Sequence, residues 1–244
     1  MIVAVHQPNL FPWLGFFQKI YNADTFVFLD HALTNPRNPL WQKRVKMLIG
    51  GKANWLTVAL KASKEQPFMP LNEIEIQALP KWDVKLKRSI EQNYSKAPFF
   101  EEGMALAKLF FDHPSALIAE RNVSFIKGVC EYLGVETSLR RSSEWMHSST
   151  SNELLVDIVS AVKGTVYLAG DGADGYQDLT PFTSKGIALI NANFKHPHYT
   201  QFNNSNFQQG LSILDVIFNL GKSAADLFVQ NTLKSGANQP VLNA

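Results

Sequence analysis

Short unbroken apolar runs lie toward both ends of this chain, and apolar positions at helical spacing fill its middle. Residues 2–5 (Ile-Val-Ala-Val) show no alternation, the pattern of a strand covered on both faces. The run breaks at His6, Gln7, Pro8 and Asn9. A helix is expected from about Pro12, because proline is favoured in a first turn, and Trp13, Phe16, Phe17, Ile20 and Tyr21 then follow at helical spacing. Residues 25–29 are a second apolar run, ending at Asp30. Strand, helix and strand in so short a span make a βαβ unit, which favours a parallel sheet.

Two prolines and two asparagines mark residues 31–39 as a loop. Residues 41–49 and 55–60, on either side of Gly50 and Gly51, predict a β-hairpin. Helical spacing returns over 82–94, 99–111 and 114–133, the last stopped by Gly134. Residues 137–140 form a short strand candidate. Thr150 and Glu153 have the spacing of a capping box, ahead of a helix with Leu154, Leu155, Ile158, Val159 and Val162 on its apolar face and Gly164 at its end. Residues 165–169 and 187–191 read as buried strands, 212–220 as a helix closed by Gly221, and 223–229 as a shorter helix. There is no internal repeat and no Pro/Gly/Ser linker. The expectation is α/β: a single domain over 1–234 with a mostly parallel Rossmann-like sheet, a β-hairpin after the second strand and a helical insert, then a polar C-terminal tail over 235–244.

Composition narrows the function classes. Hydrophobic residues make up 45% and charged residues 18%, a globular balance with enough apolar surface for a core. With 23 Lys and Arg against 21 Asp and Glu, the net charge of +2 supplies no basic field, so nucleic acid is not an expected partner. The one cysteine, Cys130, cannot form an intramolecular disulfide and fits a reducing compartment; its apolar helical setting reads as a structural thiol. The first residues have neither a basic segment nor a long apolar one, and no apolar run approaches a bilayer span, so a cytoplasmic protein without a leader or membrane span is expected.

In an open parallel sheet, ligands bind outside the carboxyl ends of the strands. Four places meet that rule: the loop His6–Asn9, Asp30, the loop opening at Gly170, and the segment near His196. His6 can serve as acid, base or electrophile, while Gln7 and Asn9 pair donor with acceptor atoms beside a helix N-terminus that favours anions. The alternative is that His6 and Asn9 only satisfy loop backbone. Residues 170–175 match GxGxxG formally, but no long helix follows and Asp171 and Asp174 would repel a phosphate. A close approach to a hydroxyl-rich ligand or a plain turn both fit. His196 and His198 present two imidazoles that would need a third ligand such as Asp171, so no metal is assigned. Gln42, Lys43, Arg44 and Lys46 on the hairpin either reach an anion or form a solvated face.

Several segments, in order along the chain, resemble the WbqC-like family. They are residues 4–20 (AVHQPNLFPWLGFFQKI), Ala23-Asp24 through Asp30, Trp41-Gln42-Lys43-Arg44, residues 55–58, residues 90–100, residues 167–170, and Phe194 through Pro197 with Tyr199 and Gln201. Ala169 stands where the family pattern has Ser. The resemblance implies a role in bacterial polysaccharide, or O-antigen, biosynthesis. It implies no settled reaction and no cofactor; from that context the expected reaction is group transfer, acyl or aminoacyl, with a nucleotide sugar or an activated acyl donor as partner. The residues it carries over are His6, Asp30 and His196 as catalytic candidates, and Gln7, Asn9, Trp13, Lys19, Gln42, Arg44, Gly170, Tyr176, Tyr199 and Gln201 as substrate contacts, with Pro8 between them. A non-catalytic nucleotide-sugar binding protein and a structural subunit are the alternatives. The first strand, loop and helix also resemble class I nucleotidylyltransferases. Their HxGH motif falls on Trp13-Leu14-Gly15-Phe16, which keeps the glycine and lacks both histidines, against ordinary nucleotidyl transfer.

Overall fold

The computed structural model describes residues 1–77, 81–146, 148–170, 178–202, 204, 206–230 and 232–233. Five short strands form one parallel sheet: β1 (Ile2–His6), β2 (Thr25–Phe28), β7 (Ser138–Arg141), β8 (Val166–Ala169) and β9 (Ala188–Asn191). Their spatial order is β7-β2-β1-β8-β9. In order of appearance within the sheet this is 3-2-1-4-5, the doubly wound Rossmann-like arrangement. The chain runs outward from β1 in one direction and then returns to run outward in the other. The reversal falls between β1 and β8, so their carboxyl ends flank the topological switch point.

Alternation explains why the first run is apolar throughout. Ala4, Phe26, Phe28 and Leu168 point into one core, with α1 (Leu14–Asn22) and the helices of the insert. Val3, Val5, Val27, Tyr167 and Ala169 point into a second, against α5 (Ser151–Ala161) and Phe182 of the five-residue helix α6 (Thr180–Ser184). A strand buried on both faces needs no polar positions.

The insert between β2 and β7 is more than helical. It opens with β3 (Leu33–Thr34), which pairs antiparallel with β6 (Met69–Pro70). Between them lies the hairpin of β4 (Arg44–Ile49) and β5 (Lys52–Thr57), turning through Gly50 and Gly51 at φ 60° and 73°. Helices α2 (Trp82–Tyr94), α3 (Phe100–Phe111) and α4 (Ile118–Tyr132) follow, and α7 (Ile213–Leu220) and α8 (Asp226–Val229) end the fold. The single α/β architecture agrees with the sequence reading. The tail over 235–244 lies outside the described residues.

Several local expectations are corrected. The first helix begins at Leu14 rather than Pro12, and the second insert strand at Lys52 rather than Trp55. Helix α4 begins at Ile118, since Pro114 and its neighbours form its approach. Thr150 is the N-cap of α5, but its side chain makes no capping hydrogen bond. The turn after α5 reaches φ 59° at Lys163, not at Gly164. Gly164 is needed for closeness instead: a Cβ there would stand 2.5 Å from Val3 Cγ2 and 2.7 Å from Val159 Cγ1.

Candidate functional site

His6 ends the central strand, and its backbone O receives Leu29 N at 2.9 Å. Its Nδ1 lies 2.9 Å from the Gln7 carbonyl oxygen. A carbonyl only accepts, so Nδ1 donates to it and Nε2 keeps its lone pair. Phe16 meets the imidazole edge-on, with ring centroids 5.1 Å apart. Burial, aided by the charge of Lys19, lowers the His6 pKa to about 4, while the Gln7 hydrogen bond opposes the shift. His6 is therefore a neutral acceptor at pH 7.

Lys19 reaches the same point from α1. Its Nζ donates to the Val5 carbonyl at 3.0 Å and lies 5.8 Å from the centroid of the Tyr167 ring. Gly170 follows β8, and a Cβ there would stand 3.9 Å from Lys19 Nζ. His6, Trp13, Phe16, Lys19, Gly170 and Phe194 line a cavity of about 150 Å³ at the switch point. Trp13 lies across the first turn of α1, over Gly15, where a Cβ would come within 2.4 Å of the indole. His196 stacks on the indole at 6.4 Å and an interplanar angle of 25°, and Phe194 meets it edge-on at 5.1 Å. Burial lowers the His196 pKa, so it too is mainly neutral. The two positions where HxGH would place histidines hold Trp13 and Phe16, and each packs on a histidine from elsewhere in the chain.

A second polar group adjoins the first. Gln42 Nε2 donates to Gln7 Oε1. Asn122, fully buried on α4, donates from Nδ2 to the carbonyls of Pro8 at 3.0 Å and Gln42 at 2.9 Å. Leu10 N donates to the Trp41 carbonyl. The loop is further fixed by Phe11, whose backbone sits at φ 41° and whose ring packs edge-on against Phe110, Phe111 and Phe125. A non-glycine residue keeps such a φ only where its surroundings enforce it. Arg44, on β4, places its guanidinium 4.1 Å from the Trp55 ring centroid.

Other candidates have different partners. Asp30 is fully buried, and its carboxylate accepts from Ser142 Oγ at 3.0 Å, Ser143 N at 3.0 Å and Ser143 Oγ at 2.7 Å. Those bonds tie the end of β2 to the 3-10 turn after β7. Tyr199 donates to Asp215 Oδ2 at 2.7 Å, and Gln201 Nε2 donates to the Gln208 carbonyl at 2.8 Å. Tyr94 donates to Asp215 Oδ1 at 2.7 Å and accepts from Leu48 N. Asp215 is thus the hub of a buried network joining the hairpin, α2, α7 and the 199–208 segment. Burial raises the Asp215 pKa against the three bonds that favour its charge. Tyr199 still touches the site through His196, at 6.3 Å between ring centroids. Tyr176 and Asp171 lie outside the described residues. No group of three or more His, Cys, Asp or Glu among the described residues is placed to hold a metal ion.

The fold and this cleft define a class: a Rossmann-like α/β protein with a cavity at the carboxyl edge, beside the two strands that flank the switch point. The chain belongs to the WbqC-like protein family, whose model matches residues 7–227. It is similar, at 27% identity over 227 residues, to the uncharacterized protein Rv1507c of Mycobacterium tuberculosis, covering 92% of this chain and 96% of that one. No solved structure matches.

Proposed function

We propose that the protein transfers a group, acyl or aminoacyl, onto a nucleotide-activated sugar or amino sugar in bacterial polysaccharide (O-antigen) biosynthesis. The observation that carries the reading is a neutral histidine with a fixed tautomer at the switch point, beside a buried lysine and a cavity. In such a transfer the acceptor amine or hydroxyl attacks the activated carbonyl carbon, and the leaving group departs with its electron pair. His6 Nε2 takes the acceptor's proton. Lys19 and the N-terminus of α1 offset negative charge on the donor. Trp13 and Phe194 wall the cavity, His196 backs the indole of Trp13, and Asp30 and Tyr199 act as positioning residues through Ser142, Ser143 and His196.

A binding protein without chemistry is the second reading. It is favoured by Trp13 and Phe16 at the two histidine positions of HxGH, and by an Asp30 carboxylate bonded to Ser142 and Ser143. Incubating purified protein with sugar nucleotides and acyl donors, followed by mass spectrometry, separates the two. Group transfer predicts a product that His6→Ala abolishes while its melting temperature stays near that of the parent. Ligand-induced stabilisation with no product supports the binding protein. No stabilisation by any sugar nucleotide defeats both.

A further inference from the structure

Four buried side-chain polar atoms on the first loop, on the approach to and first strand of the hairpin, and on α4 have no hydrogen-bond partner among the described residues. They are Asn9 Oδ1, Gln42 Oε1, Arg44 Nε and Asn122 Oδ1. Asn122 bonds the backbone of both Pro8 and Gln42, and Gln42 bonds Gln7, so the loop that carries Asn9 is tied to Gln42 and Asn122, and Arg44 follows Gln42 by two residues. Asn9 and Gln42 are 5% and 4% exposed and Asn122 is fully buried, whereas Gln7 and Arg44 are half-buried. The orientation of Asn122 is fixed by chemistry. Its amide nitrogen faces two carbonyl oxygens, which only accept, so its oxygen must be the atom left over.

Buried polar groups left without partners are costly, and a protein keeps several together where a ligand completes them. Three of these four atoms are acceptors. Phosphate and carboxylate oxygens are acceptors as well, so they cannot complete them. A hydroxyl group or an ammonium can, and a hydroxyl can also accept from Arg44 Nε. We infer that the cluster of Asn9, Gln42, Arg44 and Asn122 is a binding site for the hydroxyl or amine groups of a sugar. The inference rests on the nucleotide-sugar reading above and divides that ligand: the sugar lies in this cluster, and the charged donor lies at the His6 and Lys19 cavity.

Asn9→Leu removes one unpartnered acceptor at nearly constant volume, so the site's role separates from a structural one. The melting temperature of the ligand-free variant is expected to match or exceed that of the parent. Calorimetry with UDP-N-acetylglucosamine, UDP, glucosamine and N-acetylglucosamine reads the binding. The parent is expected to bind the sugar nucleotide more tightly than UDP. The variant is expected to lose about tenfold for each probe that carries the sugar, the equivalent of one hydrogen bond, and nothing for UDP. Asn9→Met provides the same comparison if Asn9→Leu does not fold. A lower ligand-free melting temperature in both variants would make this amide structural and overturn the inference. So would a parent that binds UDP and the sugar nucleotide equally, although the nucleotide reading would survive. Glucosamine binding that the variants lose, with no binding of UDP, would uphold the sugar site and remove the nucleotide. Binding of none of the four probes would overturn both.

Discussion

Two ionisable side chains illustrate what burial does with and without a neighbour. Cys130 lies in the core at 2% exposure, and burial alone raises its thiol to about 12, so it is a protonated packing group at pH 7. Cys130→Ala is expected to cost about 1 kcal/mol in urea denaturation and to leave ligand binding intact. Loss of binding with stability retained would make it part of the site. His6 has a folded pKa of about 4 against an ordinary 6.5. Between those values the unfolded chain takes up a proton that the folded chain refuses, so stability falls as pH drops from about 6.5 to about 4 and levels off below. His6→Gln is expected to flatten that part of the stability curve, and an unchanged slope would mean that His6 is hydrated in the folded protein. The sequence identified His6 because it interrupts an apolar run at the carboxyl end of a strand. Asp30 showed the same signal, but nothing in the sequence pointed to Ser142 and Ser143, which occupy its carboxylate and are remote in the chain. Asn122 did leave a sign that was missed. It is a lone amide on the buried stripe of Ile118, Ala119, Val123, Phe125 and Ile126.

Elements were legible in proportion to the length of their pattern. The helix over 82–94 agrees with α2 at both ends, because its periodicity runs through several turns. The two-residue strands β3 and β6 carry no periodicity and were invisible. Edge strand β7 was legible as a short run but not as the partner of β2. The same limit explains the Asp215 network, whose Tyr94, Tyr199 and Leu48 come from three distant segments. This network seats the hairpin on α2 and α7. Tyr94→Phe removes the acceptor of Leu48 N and a donor to Asp215, both buried, and is expected to cost about 1–3 kcal/mol. Hydrogen exchange at Leu48 should rise more than exchange in the central sheet. Equal loosening of both would show that the hairpin and sheet open as one unit.

At the scale of the molecule, β1 is both the first strand of the chain and the centre of the sheet. One of its neighbours, β2, follows after a single helix. The other, β8, begins only at Val166, after the whole insert. During synthesis, therefore, a nascent chain leaves the ribosome with one side of its central strand unpaired until β8 emerges, and an unpaired strand edge invites foreign pairing. The Gly170 side of the cleft is missing for the same interval. Chains stopped just before Val166 are expected to associate with chaperones and to be cut rapidly in pulse proteolysis. Those extended through β9 should resist. Equal resistance of the two lengths would mean that β1 is shielded by the insert alone. Placing the longest wait at the centre of the sheet couples the appearance of the cleft to completion of the fold, so a fragment released early presents only one of its walls.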